Sequence, residues 1–320
     1  MKNQVFPGAY PTMITPYNQD GTVDYGCVKA LTEWYYRKGC DGIFAACQSS
    51  EIAYLSLADR VNLAKTVSET AKSLSQNGGR AMNVVASGHI SYDKKEQIRE
   101  LCLMARSDID AVMLMTYRMD ISGTGEDNWI KDTEYLMNAL PDSVPLGAYE
   151  CPLPYKRLMT DKMLSFCAGT GRFAFMKDTC CDSAVIRRRL EIIKGSPMKL
   201  LNANGQTLLE TLRDGGHGYC GVMCNFHPEL FVWLCHHFAE EPQKAELIQG
   251  FIGTAAFTEA LAYPCTAKYH LSEIEGLPFK SLFARSRDQR ELTDYHKSSI
   301  RQMHIGATYF VDMLKKSGEI

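Results

Sequence analysis

Residues 173–179 read Phe-Ala-Phe-Met-Lys-Asp-Thr. Four apolar residues run straight into a lysine and two polar residues, and helical patterns at 160–167 and 182–193 flank the run. A short apolar stretch between helices reads as a strand buried on both faces. The unit recurs along the chain. Further strand candidates are 9–14, 42–46, 82–86, 111–115, 145–149, 198–202 and 219–223. Most are largely apolar, as parallel strands under helices should be, rather than strictly alternating.

Helical patterns fill the gaps, at 25–38, 57–74, 91–106, 129–140, 206–213 and 228–238. Val28, Leu31 and Tyr35 share one helical face. Ser56 is placed as an N-cap with Asp59 three residues on, and Gly215-Gly216 stops the helix ending at Arg213. Eight β-then-α units predict an α/β chain folded as a (β/α)8 TIM barrel. The alternative is an open doubly wound sheet, which commonly has about five or six strands. Residues 240–320 show helical patterns at 245–262, 276–286 and 290–316, broken at Tyr263-Pro264-Cys265. The expected division is a barrel over 1–239 that carries the active site, with an all-helical C-terminal appendage over 240–320 packed on it.

The 320 residues carry 35 Lys plus Arg against 37 Asp plus Glu, a net charge of −2. With 45% hydrophobic residues, disorder is excluded. The balance gives no electrostatic footprint for nucleic acid. The longest basic run, Arg187 to Arg189, reads as a solvated helix face. No apolar run approaches the roughly 20 residues of a membrane span. The start, MKNQVFPGAY, lacks the apolar stretch of a secretory signal, so a cytoplasmic protein is expected. Twelve cysteines without a C-x-x-C pair are too sparse for a disulfide scaffold.

Active sites of such barrels lie at the C-terminal ends of the strands. Lys177 follows its strand directly. A lysine aimed into an apolar mouth is a nucleophile able to form a Schiff base with a carbonyl; the plainer reading is a stem lining the rim with its ammonium in water. Tyr149 ends the neighbouring strand. Its phenol is a proton relay for that chemistry, or one more ring of the packing layer. Gln48, Ser49 and Ser50 offer donors for a small carboxylate, or form an ordinary capping loop. Glu51 suits orienting that loop better than chemistry. Cys224, His227, Cys235, His236 and His237 cluster in sequence, but helical geometry scatters them and no metal is expected there. Neither a phosphate loop nor G-x-G-x-x-G occurs, and Gly215-Gly216-His217-Gly218 reads as the turn into the last strand.

Several motifs now line up. They are Thr15-Pro16 with Asp20-Gly21, Cys47-Gln48-Ser49-Ser50-Glu51 with Leu55-Ser56 and Arg60, and Tyr149-Glu150-Cys151-Pro152. Lys177-Asp178-Thr179 and Gly215-Gly216-His217-Gly218 with Asn225 complete the series. From about residue 8 to 228 the chain resembles the dihydrodipicolinate synthase and N-acetylneuraminate lyase family of class I, Schiff-base-forming, pyruvate-dependent lyases. The matching family patterns are "TP…dG", "GTTGE", "YN-x-P", "K-[ED]-[ST]" and "GG-x-G…aN". Each is weak alone, but five in order at family spacing are specific.

The resemblance implies a catalytic Lys177 that attacks the ketone of pyruvate or another 2-oxo acid, and a Tyr149 that shuttles protons. It places Gln48 and Ser49 at the substrate carboxylate, with Ser49 joining the relay and Ser50 and Ala203 lining the pocket. Thr15, Glu51, Tyr117 and Asn225 would support the site. It further implies no metal or organic cofactor and a homotetramer, a dimer of dimers, or a homodimer.

Departures shape the expectation. Cys47 and Gln48 replace the first Gly and first Thr of "GTTGE", and Ser50 its second Gly. Gln donates a hydrogen bond but relays no proton as a hydroxyl does. The "PYY" segment reads Thr116-Tyr117-Arg118, so Arg118 stands where the synthase donates a tyrosine across a subunit interface. Pro154 occupies the place of the synthase's arginine for the aldehyde partner, with Lys156 and Arg157 nearby. Ala203 stands where Gly is common. These changes argue against the lysine-pathway synthase. They favour a lyase or aldolase acting on a 2-oxo acid, which a sugar acid could supply, with Arg118 and Pro154 at the outer pocket. The alternatives are dihydrodipicolinate synthase proper, a 2-keto-3-deoxy acid dehydratase, and a binding or regulatory homologue without catalysis.

Overall fold

The computed structural model describes residues 5–76 and 79–320; residues 1–4, on which part of the reading of the amino-terminus rests, lie outside that range. The chain begins with β1 (Gly8–Pro11), α1 (Tyr25–Arg37), β2 (Gly42–Phe44), α2 (Leu57–Gln76), β3 (Asn83–Ala86) and α3 (Lys94–Ala105). It continues through β4 (Ala111–Met115), α4 (Glu126–Asn138), β5 (Leu146–Tyr149), α5 (Asp161–Gly169), β6 (Phe173–Asp178) and α6 (Ser183–Ile193). Then come β7 (Lys199–Asn202), α7 (Leu208–Arg213), β8 (Gly218–Gly221) and α8 (Pro228–His237). After the barrel follow α9 (Pro242–Ala255), α10 (Cys265–Tyr269) and α11 (Asp294–Lys316).

All ladders are parallel, in the order β1-β8-β7-β6-β5-β4-β3-β2. The two ends meet through a parallel bridge between Thr12 and Phe44, and the Met13 N–H donates to the Phe44 carbonyl at 3.0 Å. The strands thus form a TIM barrel, and the open-sheet alternative is set aside. Gly218 sits in the β1–β8 ladder at φ 144°, where a Cβ would lie 2.0 Å from the Gly8 carbonyl oxygen. Only glycine meets both conditions.

Local chemistry sets the helix ends. Ser56 Oγ accepts from the Asp59 N–H at 3.1 Å, and Asp24, Asp93, Thr160 and Asp182 cap α1, α3, α5 and α6 in the same manner. Gly215, at φ 92°, ends α7.

Two apolar layers form. Val112, Leu114, Leu146, Ala148, Met176 and Leu200 pack outward beneath the helices, with Trp129 and Phe173. Met113, Met115, Tyr149, Phe175 and Leu201 belong to the other cluster, and Phe175 meets Tyr10 edge-on at 5.3 Å. Phe173 and Phe175 join different clusters because the β5–β6 register shifts between Leu146 and Gly147. That one extra residue turns Phe173 away from the side that Phe175 and Lys177 share.

The tail departs from the expected helices. No helix forms over 276–286; residues 277–288 are an irregular strap lacking helix or strand. Its groups serve the barrel mouth instead: the Ser286 N–H donates to Glu51 at 2.7 Å, and Arg285 donates to the Tyr54 and Gly21 carbonyls. The helix expected over 245–262 stops at Ala255 and tightens into a 3₁₀ turn, Ala256–Ala260. The last helix starts at Asp294 behind a Thr293–His296 capping box. α9 packs on α7 and α8, and α11 on α8, α9 and α10. Ile248, Ile252, Ile300 and Leu314 join the same apolar cluster as the barrel interior. Among the described residues, no helix is long and apolar enough to cross a membrane.

Candidate active site

Lys177 and Tyr149 are direct partners across the β5–β6 ladder. The Lys177 Nζ lies 4.8 Å from the centre of the Tyr149 ring and 5.6 Å from that of Phe44, while the two rings meet edge-on at 4.9 Å. Lys177 is 6% exposed. Among the described residues, no side chain forms an ion pair or hydrogen bond with its amine. An amine held against aromatic walls without a protein partner is placed to meet a carbonyl carbon.

The Tyr149 phenol accepts from the Gln48 N–H and faces the Cys151 thiol. Burial pushes it well above the ordinary phenol range, with Cys151 and Cys47 adding to the effect. It therefore keeps its proton at neutral pH and is a donor to whatever charge develops beside it.

The loop after β2 divides its work. Ser49 Oγ donates to Thr12 Oγ1 at 3.1 Å. The Tyr263 hydroxyl hydrogen-bonds both side chains and accepts from Asn225 Nδ2 at 3.5 Å. Asn225 also donates to the Thr12 carbonyl at 3.0 Å and accepts from the Tyr35 hydroxyl at 2.5 Å. Gln48 turns toward the loop after β5, where its Oε1 accepts from the Leu153 N–H at 3.2 Å and from Cys151 Sγ at 3.4 Å. Ser50 is fully buried; its hydroxyl contacts the Met13 and Ala45 carbonyls at 2.6 Å each and accepts from the Cys47 N–H. Thr15 Oγ1 donates to the Ser50 carbonyl at 2.6 Å.

Glu51 takes the left-handed conformation, φ 63°. One carboxylate oxygen accepts from the strap at Ser286, and the other faces Lys268 Nζ at 3.5 Å. Burial brings Lys268 down to about 8, opposed by Glu51.

Ala203 is half-buried, its N–H bound to the Asp178 carbonyl at 2.9 Å. Tyr117 is buried against Met115 and raised to about 12 by that burial. The Arg118 guanidinium stacks between the rings of Tyr92 (4.5 Å) and Tyr117 (4.8 Å). Lys156 and Arg157, the basic residues near Pro154, are engaged elsewhere. Lys156 donates to the Thr179 carbonyl, and Arg157 pairs with Asp120 at 2.8 Å.

One basic residue corrects the reading of its run as a solvated face. Arg187 and Arg188 are exposed, but Arg189 is only 2% exposed. Its guanidinium pairs with Glu150 at 2.6 Å and with Asp178. These are the residues that follow Tyr149 and Lys177. Alternation along each strand turns Tyr149 or Lys177 one way and its carboxylate neighbour the other. Glu150 also accepts from the Met159 and Thr179 N–H groups at 2.7 and 2.9 Å. Arg189 thereby ties the ends of β5 and β6 together behind the lysine–tyrosine pair.

Thr12, Tyr263 and Arg189 were not among the sequence candidates. The break at Tyr263-Pro264 is visible in the sequence, but nothing there shows that it returns to the mouth. The five sequence-clustered Cys and His residues stay apart in role: His236 binds Asp41, His237 binds Glu240, and His227 stacks on Phe231. A surface cleft of about 710 Å³ lined by Tyr92, Asp120, Lys131 and Tyr135 excludes Lys177 from its walls.

Comparison with known proteins agrees with the barrel fold. The profile of the Dihydrodipicolinate synthetase family matches residues 5–76. A 4-hydroxy-tetrahydrodipicolinate synthase of Neisseria gonorrhoeae is 23% identical over 230 residues, covering 71% of this chain and 74% of that protein. YagE, a prophage protein of the dihydrodipicolinic acid synthase family from E. coli K12 crystallised with pyruvate, superposes with a TM-score of 0.82. The two are 20% identical over 95% of this chain and 99% of YagE. The synthase of Cyanidioschyzon merolae, solved with lysine bound, gives 0.81 at 20% identity, again over 95% and 99%. Motif order, profile, relatives and barrel converge on a likeness to the dihydrodipicolinate synthase family.

Proposed function

We propose that this protein is a class I lyase that takes pyruvate, or a related 2-oxo acid, as an imine on Lys177. The observation that carries the reading is the unpartnered Lys177 amine opposite Tyr149 in a mouth walled by Phe44. The Nζ adds to the C2 ketone, and the carbinolamine loses water to give the imine. Removal of a C3 proton gives the enamine, whose carbon attacks an aldehyde; reversal of the same step cleaves the C–C bond. Tyr149 supplies and recovers the proton at the carbinolamine and enamine stages. The Ser49 hydroxyl and the Ser49 N–H, inside the Gln48–Ser50 turn, receive the substrate carboxylate. Thr12 and Tyr263 hold Ser49 in place.

Lys156 and Arg157 are bound to the protein itself, and Arg118 is stacked between tyrosines. The outer pocket is therefore suited to a partner other than aspartate semialdehyde, such as a neutral sugar-derived aldehyde. The twelve cysteines are all free, which fits a reducing, cytoplasmic setting. A homotetramer or homodimer is the assembly we expect.

The test is borohydride reduction with pyruvate, followed by peptide mass mapping. Hydride reduces the imine to a stable secondary amine, so the expected result is one adduct, on Lys177, absent from Lys177→Ala. An unmodified Lys177 with every 2-oxo acid tried would overturn the proposal. In a coupled assay, pyruvate with aspartate semialdehyde should turn over poorly; robust turnover would refute the reading of the outer pocket.

A further inference from the structure

A cleft of about 230 Å³ opens on the side of the barrel, between α8 and α11. His227, Glu229, Glu275, His304 and Lys38 are among its lining residues. His270, from the π-turn His270–Ile274 after α10, lies beside it, with its ring 5.4 Å from that of His304. One ligand-capable atom each from His270, Glu275 and His304 falls within 4.8 Å of the other two. The His270 Nε2 stands 3.8 Å from Glu275 Oε1.

Two features mark this as more than a chance grouping. First, His270 is fully buried, yet neither ring nitrogen makes a hydrogen bond of good geometry, although the Phe226 backbone lies near the ring; His227 is likewise buried with both nitrogens unpaired. Buried polar atoms are normally satisfied, and orphans call for an explanation such as an ion. Second, Glu275 is oriented from behind. Its Oε2 accepts from Trp34 Nε1 at 2.9 Å and pairs with Lys38 at 3.1 Å, leaving Oε1 toward the histidines. Metal-binding carboxylates are commonly held in this way. Lys38 is shared with Glu229, so two carboxylates face one ammonium and the cleft carries a net negative charge.

We infer that His270, Glu275 and His304 bind a divalent transition-metal ion, zinc by their donor set, which fastens α11 to the barrel. Two imidazoles and a carboxylate suit zinc, cobalt or nickel, with a fourth position left to water. Bonds of about 2.0–2.2 Å place tetrahedral ligands roughly 3.4 Å apart. Closing the present cluster to that size takes side-chain shifts of about an ångström.

The test uses the chelator-treated full-length protein, titrated with Co²⁺ and then with Zn²⁺. One equivalent of cobalt should bind with an intensified four-coordinate visible spectrum that zinc abolishes. Zinc should also raise the thermal midpoint. His304→Ala, on the half-exposed face of α11, and Glu275→Gln should each weaken binding at least tenfold, while His236→Ala should not. Circular dichroism of His304→Ala confirms that it folds. Identical titrations for wild type and His304→Ala, or a spectrum lost in His236→Ala, would overturn the inference.

Discussion

Tyr149 and Tyr263 are both buried phenols, but they differ in what they touch. Tyr149 stands in ladder register with Lys177, while Tyr263 reaches the site only through Ser49 and Thr12. Tyr149→Phe should keep the fold and slow turnover by about 10²–10⁴, the usual worth of a proton-transfer group. Tyr263→Phe removes one hydrogen bond from Ser49. It should lower kcat/KM by roughly tenfold, about 1.4 kcal/mol, mainly through KM. Steady-state kinetics on the two variants distinguishes these roles; equal losses would place both phenols at the reacting carbon.

At the scale of elements, the ends of β5 and β6 are positioned by one guanidinium. Removing it strands two buried carboxylates, Glu150 and Asp178. Arg189→Met should cost about 3–5 kcal/mol in urea unfolding, as loss of one member of a buried ion pair does. Borohydride trapping at Lys177 should slow as well, because Asp178 and Glu150 adjoin Lys177 and Tyr149. A stability change under about 1 kcal/mol would show that the network is not holding the strands. Gly218 makes a separate demand. Gly218→Ala meets both an unfavourable φ and the Gly8 backbone, so a loss above about 2 kcal/mol is expected in the same measurement.

For the molecule as a whole, acid stability is tied to a buried histidine. His89 Nε2 accepts from the Met115 N–H at 2.7 Å, and burial lowers the imidazole from 6.5 to about 4. The unfolded chain binds this proton more readily than the folded one. The contribution is complete above pH 6.5 and is lost as the pH falls to about 4, by roughly 3 kcal/mol. Denaturant unfolding across that range should show the slope, and His89→Gln, which can still accept from Met115, should flatten it. An unchanged slope in the variant would assign acid sensitivity to the carboxylates or to His217, His227 and His270, which burial lowers in the same way.

Local pattern alone determined the eight strands, their alternation with helices, the cap at Ser56 and the placing of Lys177 and Tyr149 at strand ends. These are properties of short windows, where apolar period and Gly or Ser punctuation decide the backbone. The tail was less legible. The apolar residues over 276–286 look helical, yet their backbone groups are taken up by Glu51 and the barrel loops. Arg189 sits in a basic run, and only the fold shows that its neighbours face solvent while it meets Glu150, 39 residues away. Asn225 reaches Thr12 across 213 residues, and Tyr263 arrives from beyond the barrel to join them. Closure of the barrel and docking of the tail decided those partners, because such contacts depend on where distant segments come to rest and leave no period in the chain itself.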